Sequence, residues 1–254
     1  MAKKLNNYLI FFNSEETFIK GKNTVLFIIC GHILKKKPQC DFSVDKRGVG
    51  WYNINAKRRM KRKRKMDPRK YIEFLNTVEK LKCNTRHSWT SSGRRESVAE
   101  HTWRLSLMAL LCADEYPHLD INKVIKMCII HDLGEAITGD VPSFFKTDAH
   151  EKKEDEAIDR LLSMLPDCTR EEFSSLYAEM EAKKTDEARL YKALDNMEAV
   201  ISHNEADIST WIEFEYSENL VYGAENAEFS EWTRALRREL REDSERKIAE
   251  SKEK

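Results

Sequence analysis

The segment Cys128-Ile-Ile-His-Asp-Leu-Gly-Glu-Ala-Ile-Thr-Gly-Asp140 is the part of the sequence on which its interpretation depends. An adjacent imidazole and carboxylate, His131 and Asp132, follow an apolar run there, and Glu135 and Asp140 come shortly afterwards. These groups are suited to metal binding and to proton transfer. A single His-Asp pair is more often a hydrogen-bonded helix end than a pair of ligands, so a metal site needs further ligands elsewhere in the chain.

Length and composition limit the class of protein. A chain of 254 residues can form one well-buried domain with an appendage, or two small domains. The longest apolar run, residues 25–34, is about half of the roughly 20 residues that a spanning helix needs, so no membrane partner is expected. The six cysteines are dispersed without paired spacing, which predicts neither a disulfide framework nor a zinc knuckle. A reducing, cytoplasmic location is the expectation.

The formal net charge of zero conceals a strong asymmetry along the chain. Residues 1–66 contain 17 Lys and Arg against 4 Asp and Glu, whereas the remainder contains 27 against 40. A nucleic-acid surface needs clustered positive charge, which the acidic remainder does not offer. Nucleic acid is therefore expected as a partner only through the basic N-terminal segment.

Residues 1–66 show no sustained helical or strand periodicity and end in the basic tract 57–65. We predict an irregular basic extension that is either a solvated segment or a nucleic-acid or targeting arm. A third interpretation is that the extension does not belong to the natural folded protein. Met66 or Met60 would be a natural start, and Asp67 and Pro68 directly after Met66 form a helix N-cap and first-turn pair.

From residue 67 onward, apolar residues recur at helical spacing and no alternating strand pattern is evident. We therefore predict an all-α domain over residues 67–245 and a charged tail over residues 246–254. A loop is expected over residues 84–96, and the aromatic segment 211–221 is expected to pack as a lid or a dimer surface. Two capping boxes predict helix starts, Ser97-Val-Ala-Glu100 and Thr169-Arg-Glu-Glu172. Further helices are expected over residues 121–131, 147–165 and 186–206 and from about residue 229.

Candidate metal ligands lie on three of these predicted helices. Each has a simpler interpretation when taken alone, since a histidine such as His101 can pack in a helix interface and a carboxylate such as Asp195 can pair with a cation. Together, two imidazoles and two carboxylates suit one divalent ion such as Mn, Co, Fe, Ni, Zn or Mg, and leave positions open for water and substrate. The candidate set is His101, His131, Asp132 and Asp195.

The order His, His-Asp and Asp on successive helices resembles that of the HD-domain metal-dependent phosphohydrolases. Arg95-Glu-Ser-Val-Ala-Glu-His101 and His131-Asp-Leu-Gly-Glu-Ala-Ile-Thr-Gly-Asp-Val-Pro142 resemble segments of the small bacterial 5'-deoxynucleotidases and their HD-domain relatives. The similarity covers about residues 71–240. It implies a single all-α HD-domain helical bundle with the N-terminal extension outside it.

The resemblance also implies roles for individual residues. Glu135 and Asp140 match catalytic positions of the family, and Arg86 matches an arginine that contacts the substrate phosphate. The best-known bacterial form has a tryptophan immediately after that arginine, whereas here His87 follows and Trp89 comes three residues after Arg86. His87 and Trp89 are therefore candidate substrate-binding residues, and the base and sugar preference stays open. The family's metal ligands match His101, His131, Asp132 and Asp195.

The function implied by the resemblance is metal-dependent hydrolysis of 5'-deoxyribonucleoside monophosphates to deoxynucleoside and phosphate. One divalent ion is the expected cofactor, and a homodimer is the expected assembly. Two alternatives stay open: an HD phosphohydrolase for a phosphodiester or pyrophosphorylated nucleotide, and a non-catalytic metal-bearing regulatory module. The intact Glu135, Asp140 and Arg86 favour catalysis, because a regulatory module has no need of them.

Overall fold

The computed structural model of the chain describes residues 66–253 and six strands of the N-terminal segment. The chain divides into two compact units, Met1–Lys63 and Arg64–Lys254. In the part that the structure describes, no helix combines the length and the apolar character needed to cross a membrane.

The N-terminal unit contains strands. Four of them form an antiparallel sheet in chain order, and the other two pair antiparallel with each other. The prediction of an irregular extension is therefore wrong for these residues. Short runs rich in aromatic and β-branched residues, such as Tyr8–Phe12 and Val25–Ile29, favour strands, but they are too short to give sustained alternation. The basic tract 57–65 lies outside the described residues. The strands are β1 (Ala2–Leu5), β2 (Tyr8–Phe12), β3 (Glu16–Gly21), β4 (Val25–Ile29), β5 (Phe42–Val44) and β6 (Gly50–Tyr52).

The second unit is helical, as predicted for the HD domain. Asp67 caps the first helix by accepting from the backbone N–H groups of Arg69 and Lys70. The helices are α1 (Pro68–Val78), α2 (Val98–Leu111), α3 (Ile121–Ile130), α4 (Glu135–Thr138), α5 (Asp148–Ser163), α6 (Asp167–Ala182), α7 (Asp186–Glu205), α8 (Glu215–Glu218), α9 (Ala224–Ala227) and α10 (Glu231–Ser251). Short 3-10 turns cover Glu79–Lys82, Ala113–Glu115, Ser143–Phe145 and Ile208–Thr210.

Three details of the second unit differ from the sequence prediction. The expected loop over residues 84–96 contains an antiparallel hairpin of β7 (Thr85–Trp89) and β8 (Arg95–Ser97), whose short strands and irregular register hide the alternation. Helix α6 begins at Asp167, directly after Pro166, so the capping box predicted at Thr169 is wrong. Helix α10 continues to Ser251, so most of the predicted charged tail is helical.

The core of the second unit surrounds α7. This helix packs against α2, α3, α6 and α10, and its buried residues occupy several of its faces. Most of the largest fully buried side chains come from the three helices that carry the candidate ligands, and they include Leu105, Val124, Met127, Leu190, Leu194 and Met197. Burial of such apolar side chains is the main stabilising contribution to a fold, so the candidate site is attached to its most rigid part.

Candidate active site

Three helices bring the candidate metal ligands together. His101 lies in the first turns of α2, which begins at a complete capping box of Ser97 and Glu100. His131 is the C-cap of α3, and Asp132 follows it in the turn before α4. Asp195 lies midway along α7.

The ligand atoms of these residues converge. The Nε2 atoms of His101 and His131 lie 3.2 Å apart. Asp195 Oδ1 is 3.2 Å from His101 Nε2 and 3.5 Å from His131 Nε2, while Asp132 Oδ2 is 2.9 Å from His131 Nε2. One nitrogen or oxygen each of His101, His131 and Asp195 lies within 4.8 Å of the others, a cluster compact enough for one ion.

The hydrogen bonds behind the two imidazoles fit metal binding. His131 Nδ1 donates to the Cys128 carbonyl oxygen at 2.8 Å, and His101 Nδ1 donates to the carboxylate of Glu198. In the neutral form of each ring Nε2 then carries a lone pair, and the two Nε2 atoms lie 3.2 Å apart. Two facing lone pairs flanked by carboxylates repel one another unless a cation lies among them, and this is the usual arrangement behind metal-ligating histidines.

The electrostatics of the cluster favour positive charge. Although burial opposes ionisation, Lys192 lies 2.7 Å from Asp195 Oδ2 and holds the pKa of Asp195 well below its ordinary value. Burial also opposes protonation of His131, yet the carboxylates of Asp132 and Asp195 raise its pKa well above the ordinary value. A proton and a divalent cation compete for such a position, so metal binding here releases protons.

A group of three carboxylates adjoins the cluster of candidate metal ligands. One oxygen each of Asp132, Glu135 and Glu154 lies within 4.8 Å of the others. Burial, together with the charges of Asp132, Asp140 and Glu154, raises the pKa of Glu135 to about 10. Burial likewise raises the pKa of Asp140. Carboxyl groups kept protonated by their surroundings are suited to proton transfer near neutral pH.

Arg86 lies on β7 and lines the same cavity as the candidate metal ligands. Its Nη1 donates to Glu96 Oε2 at 3.0 Å and to Glu198 Oε2 at 3.2 Å. Both bonds use one nitrogen, which fixes the guanidinium while leaving its remaining donors for an anion. A guanidinium fork held this way matches the geometry of phosphate oxygens.

Glu198 was missed by the sequence analysis. It is fully buried and binds His101, Arg86 and Arg104, with a distance of 2.7 Å between Arg104 Nε and Glu198 Oε1. Burial raises the pKa of Glu198, but His101, Arg86 and Arg104 outweigh burial and lower the pKa to about 2. The available signal was its spacing of three residues after Asp195, which places both carboxylates on one side of a helix.

One cavity of about 550 Å³ joins these groups. Ligand pockets of drug-sized molecules have volumes in this range. Trp89 does not line the cavity, because its ring lies under the guanidinium of Arg95, 4.6 Å from the Arg95 Cζ atom. The predicted site residues that do line it are Arg86, His87, His101, His131, Asp132, Glu135, Asp140 and Asp195.

The aromatic segment 211–221 forms part of the cavity wall. It contributes Phe214, Glu215 and Asn219 to the lining. His87 Nε2 lies 3.0 Å from Glu215 Oε1, and the His87 ring packs edge-on against Phe144 with 5.7 Å between ring centroids. His87 therefore lies among cavity residues, unlike Trp89.

Comparison with known proteins places this arrangement in a family. The profile of the HD domain matches residues 78–237, which is more than half of the chain. The chain belongs to the HD domain family. This result confirms the family resemblance and the all-α fold of residues from 67 onward.

Individual relatives agree with this assignment. The 5'-deoxynucleotidase HDDC2 of Bos taurus is 32% identical over 141 residues, covering 54% of this chain and 68% of the relative. The protein of the same name from Dictyostelium discoideum is 33% identical, covering 52% of this chain and 74% of the relative. A crystal structure of a predicted metal-dependent phosphohydrolase from Magnetospirillum magnetotacticum is similar with a TM-score of 0.60 and 31% identity, covering 70% of this chain and 93% of the other.

Proposed function

We propose that this protein is a metal-dependent phosphomonoesterase that hydrolyses 5'-deoxyribonucleoside monophosphates to deoxynucleoside and phosphate. The observation that carries the proposal is the pair of imidazole Nε2 atoms of His101 and His131, 3.2 Å apart and flanked by Asp132 and Asp195, in one cavity with Arg86. A cation site beside a phosphate-binding arginine suits attack of water on a phosphate monoester. The relatives named as 5'-deoxynucleotidases support the choice of substrate.

One divalent ion would be held by His101, His131, Asp132 and Asp195, and its identity is one of Mn, Co, Fe, Ni, Zn or Mg. When bound, such an ion supplies Lewis acidity that activates water and takes up charge from the phosphoryl oxygens.

The protein's own residues would bind the phosphate and move protons. Arg86, anchored by Glu96 and Glu198, binds the phosphate oxygens through its free donors. Glu135 and Asp140 exchange protons with the attacking water and the leaving 5'-oxygen. The pKa of Glu135, raised to about 10, lets this carboxyl hold a proton near neutral pH and act as the donor, and burial shifts the pKa of Asp140 in the same direction.

We also propose a homodimer in the cytoplasm. An exposed apolar stripe on α2 supports an interface, because Trp103 is 66% exposed and Leu111 is 74% exposed. Large apolar residues clustered on a surface are typical of protein contacts. The four cysteines in the described residues are free thiols, which suits a reducing compartment: Cys83, Cys112, Cys128 and Cys168.

A substrate screen tests the proposed activity. Purified protein is incubated with each deoxyribonucleoside monophosphate, its ribonucleotide counterpart, a nucleoside triphosphate and a cyclic phosphodiester, with Mg, Mn, Co, Ni and Zn in turn. We expect phosphate release from the deoxyribonucleoside monophosphates with at least one metal. Hydrolysis of only the phosphodiester or the triphosphate would identify a different HD phosphohydrolase, and no hydrolysis with any metal would contradict catalysis.

A further inference from the structure

A second polar cluster lines the cavity and has no part in the proposed hydrolysis. It consists of His203 on α7 and of Glu215 and Asn219 on the segment 211–221. Glu215 is 3% exposed and Asn219 is 4% exposed, so both are withdrawn from bulk water. Buried polar atoms are nearly always hydrogen-bonded, and those left unpaired in a cavity wall mark positions for a ligand.

In the side chains of Glu215 and Asn219, one polar atom has a hydrogen-bond partner and the other has none. Glu215 Oε2 accepts from the backbone N–H of Ile212 at 2.8 Å, and Asn219 Oδ1 accepts from His203 Nδ1 at 3.0 Å. Glu215 Oε1 and Asn219 Nδ2 are buried without a hydrogen-bond partner among the described residues. The hydrogen bonds of Glu215 Oε2 and Asn219 Oδ1 hold the two side chains in place. Glu215 Oε1 then offers an acceptor to a ligand, and Asn219 Nδ2 offers a donor.

The tautomer of His203 adds a second acceptor. Because Nδ1 donates to Asn219, Nε2 of the neutral ring carries a lone pair, and it lies 3.5 Å from Glu215 Oε1. Burial lowers the pKa of His203, which keeps the ring neutral. His87 Nε2 lies 3.0 Å from the same carboxylate oxygen, but neither atom has a hydrogen-bond partner among the described residues, so Glu215 Oε1 can still accept a hydrogen bond.

The two acceptors, Glu215 Oε1 and His203 Nε2, and the donor, Asn219 Nδ2, match an amino group next to a ring nitrogen. An exocyclic amino group has two N–H bonds, one for Glu215 Oε1 and one for His203 Nε2, whereas a sugar hydroxyl has a single proton to donate. The ring nitrogen next to an amino group, as in adenine and cytosine, is an acceptor for Asn219 Nδ2. A keto oxygen in the same position would face two lone pairs and be repelled.

Apolar rings near this cluster suit a nucleobase. Phe144 and Phe214 both line the cavity, with 5.7 Å between their ring centroids. Aromatic side chains of this kind can contact the faces of a base while polar groups bind its edge.

We propose that Glu215, His203 and Asn219 bind the amino edge of the nucleobase, so that amino-bearing nucleotides are preferred over their keto counterparts. This inference rests on the proposed function, since it assigns the base-binding wall of the same cavity. The preferred substrates are then dAMP over dIMP and dCMP over dUMP, pairs in which an amino group is replaced by an oxygen.

The test compares kcat/KM of the Mn-loaded full chain within each pair. We expect the amino-bearing substrate to be favoured by about tenfold or more, the effect of losing a hydrogen bond to a charged group and leaving that group unpaired. Glu215→Gln should reduce the preference to a fewfold or less, because the amide can present an N–H to a keto oxygen. Glu213→Gln is the matched control, since Glu213 is exposed on the same segment and should leave the preference unchanged.

Equal kcat/KM values within both pairs for the wild-type protein would overturn the inference, whatever the fate of the variants. A preference that persists unchanged in Glu215→Gln would overturn the assignment of Glu215. If no nucleotide is hydrolysed, calorimetric binding of deoxyadenosine and deoxyinosine separates the two proposals. Tighter binding of deoxyadenosine would then support the base-binding wall while the proposed hydrolysis fails, and equal or absent binding would overturn both.

Discussion

At the scale of single residues, the carboxylate of Glu198 connects the two ends of the candidate site. It accepts from His101 and Arg86 at the same oxygen, Oε2, and from Arg104 at the other. His101 is a candidate metal ligand, and Arg86 is the candidate phosphate ligand. A single buried carboxylate therefore orients both groups. Its spacing from Asp195 was the available sequence signal, but its three partners are distant along the chain and are brought to it only by the fold.

Replacing Glu198 by Gln should weaken metal binding about 10- to 100-fold, the usual effect of removing a carboxylate behind a metal-ligating histidine. The KM for nucleotide should also rise, because Arg86 loses one of its two anchors. Metal titration and steady-state kinetics measure the two effects. Glu205→Gln is the control, since Glu205 binds Arg104 at a more exposed position and should change neither quantity. Unchanged metal affinity in Glu198→Gln would show that Glu198 only stabilises the fold.

Glu135 should destabilise the metal-free protein at neutral pH. Its pKa is raised from 4.5 to about 10 in the folded state, so the unfolded chain loses this proton at a lower pH than the folded chain. The stability of the fold therefore falls as the pH rises from about 4.5 toward 10. Glu135→Gln should raise the melting temperature of the metal-free protein at pH 7, and the gain should vanish near pH 4.

Melting curves of the metal-free wild type and variant between pH 4 and pH 8 test this expectation. A gain in melting temperature that is the same at every pH would mean that the substitution acts through packing and not through the carboxyl group.

At the scale of elements, the cap of α2 determines where the helix that carries His101 begins. Ser97 accepts from the backbone N–H of Glu100, and the Glu100 side chain accepts from the backbone N–H of Ser97. Ser97→Ala should lower the free energy of unfolding by about 1 kcal/mol, the usual value of an N-cap hydrogen bond. Chemical denaturation measures the loss. Thr147→Ala is the control, because Thr147 is an N-cap whose side chain makes no cap hydrogen bond, and an equal loss in both variants would contradict the role of the bond.

The helix caps and the β7–β8 hairpin show which secondary-structure features could be predicted from the sequence alone. The capping box at Ser97 and the N-cap at Asp67 were predicted correctly, because the side chain and the backbone groups that it binds are neighbours in sequence. The box predicted at Thr169 was wrong, because the helix begins directly after Pro166, three residues earlier than the motif requires. The hairpin of β7 and β8 was missed because its few paired residues depend on tertiary contacts more than on local propensity.

Some residues of the candidate site could be predicted from the sequence, and others could not. The candidate metal ligands and Arg86 followed from motifs and family resemblance, and the structure brings these residues to one cavity. Trp89 was expected beside the substrate because of its proximity to Arg86 in sequence, but the hairpin places its ring against Arg95. Glu215 and Asn219 had no local signal, because only the folded chain brings them next to His203.

At the scale of the whole molecule, every candidate site residue and the whole HD-domain match lie in the unit Arg64–Lys254. A protein that starts at Met66 should therefore melt at nearly the same temperature as the full chain and hydrolyse nucleotides as efficiently. Calorimetry and phosphate release on both proteins make the comparison. A loss of several kcal/mol on truncation, a large share of the stability of a typical domain, would show that the N-terminal unit supports the fold of the second.

The central claim is that one metal ion at His101, His131, Asp132 and Asp195 supports hydrolysis of deoxyribonucleoside monophosphates. The most direct test measures bound metal by elemental analysis and phosphate release in parallel, for the wild type and for His131→Ala. We expect about one equivalent of metal and measurable release in the wild type, and the loss of both in the variant, while the control His150→Ala, at a partly buried histidine outside the cavity lining, keeps both. A His131→Ala protein that contains no metal and still hydrolyses its substrate at the wild-type rate would contradict the claim.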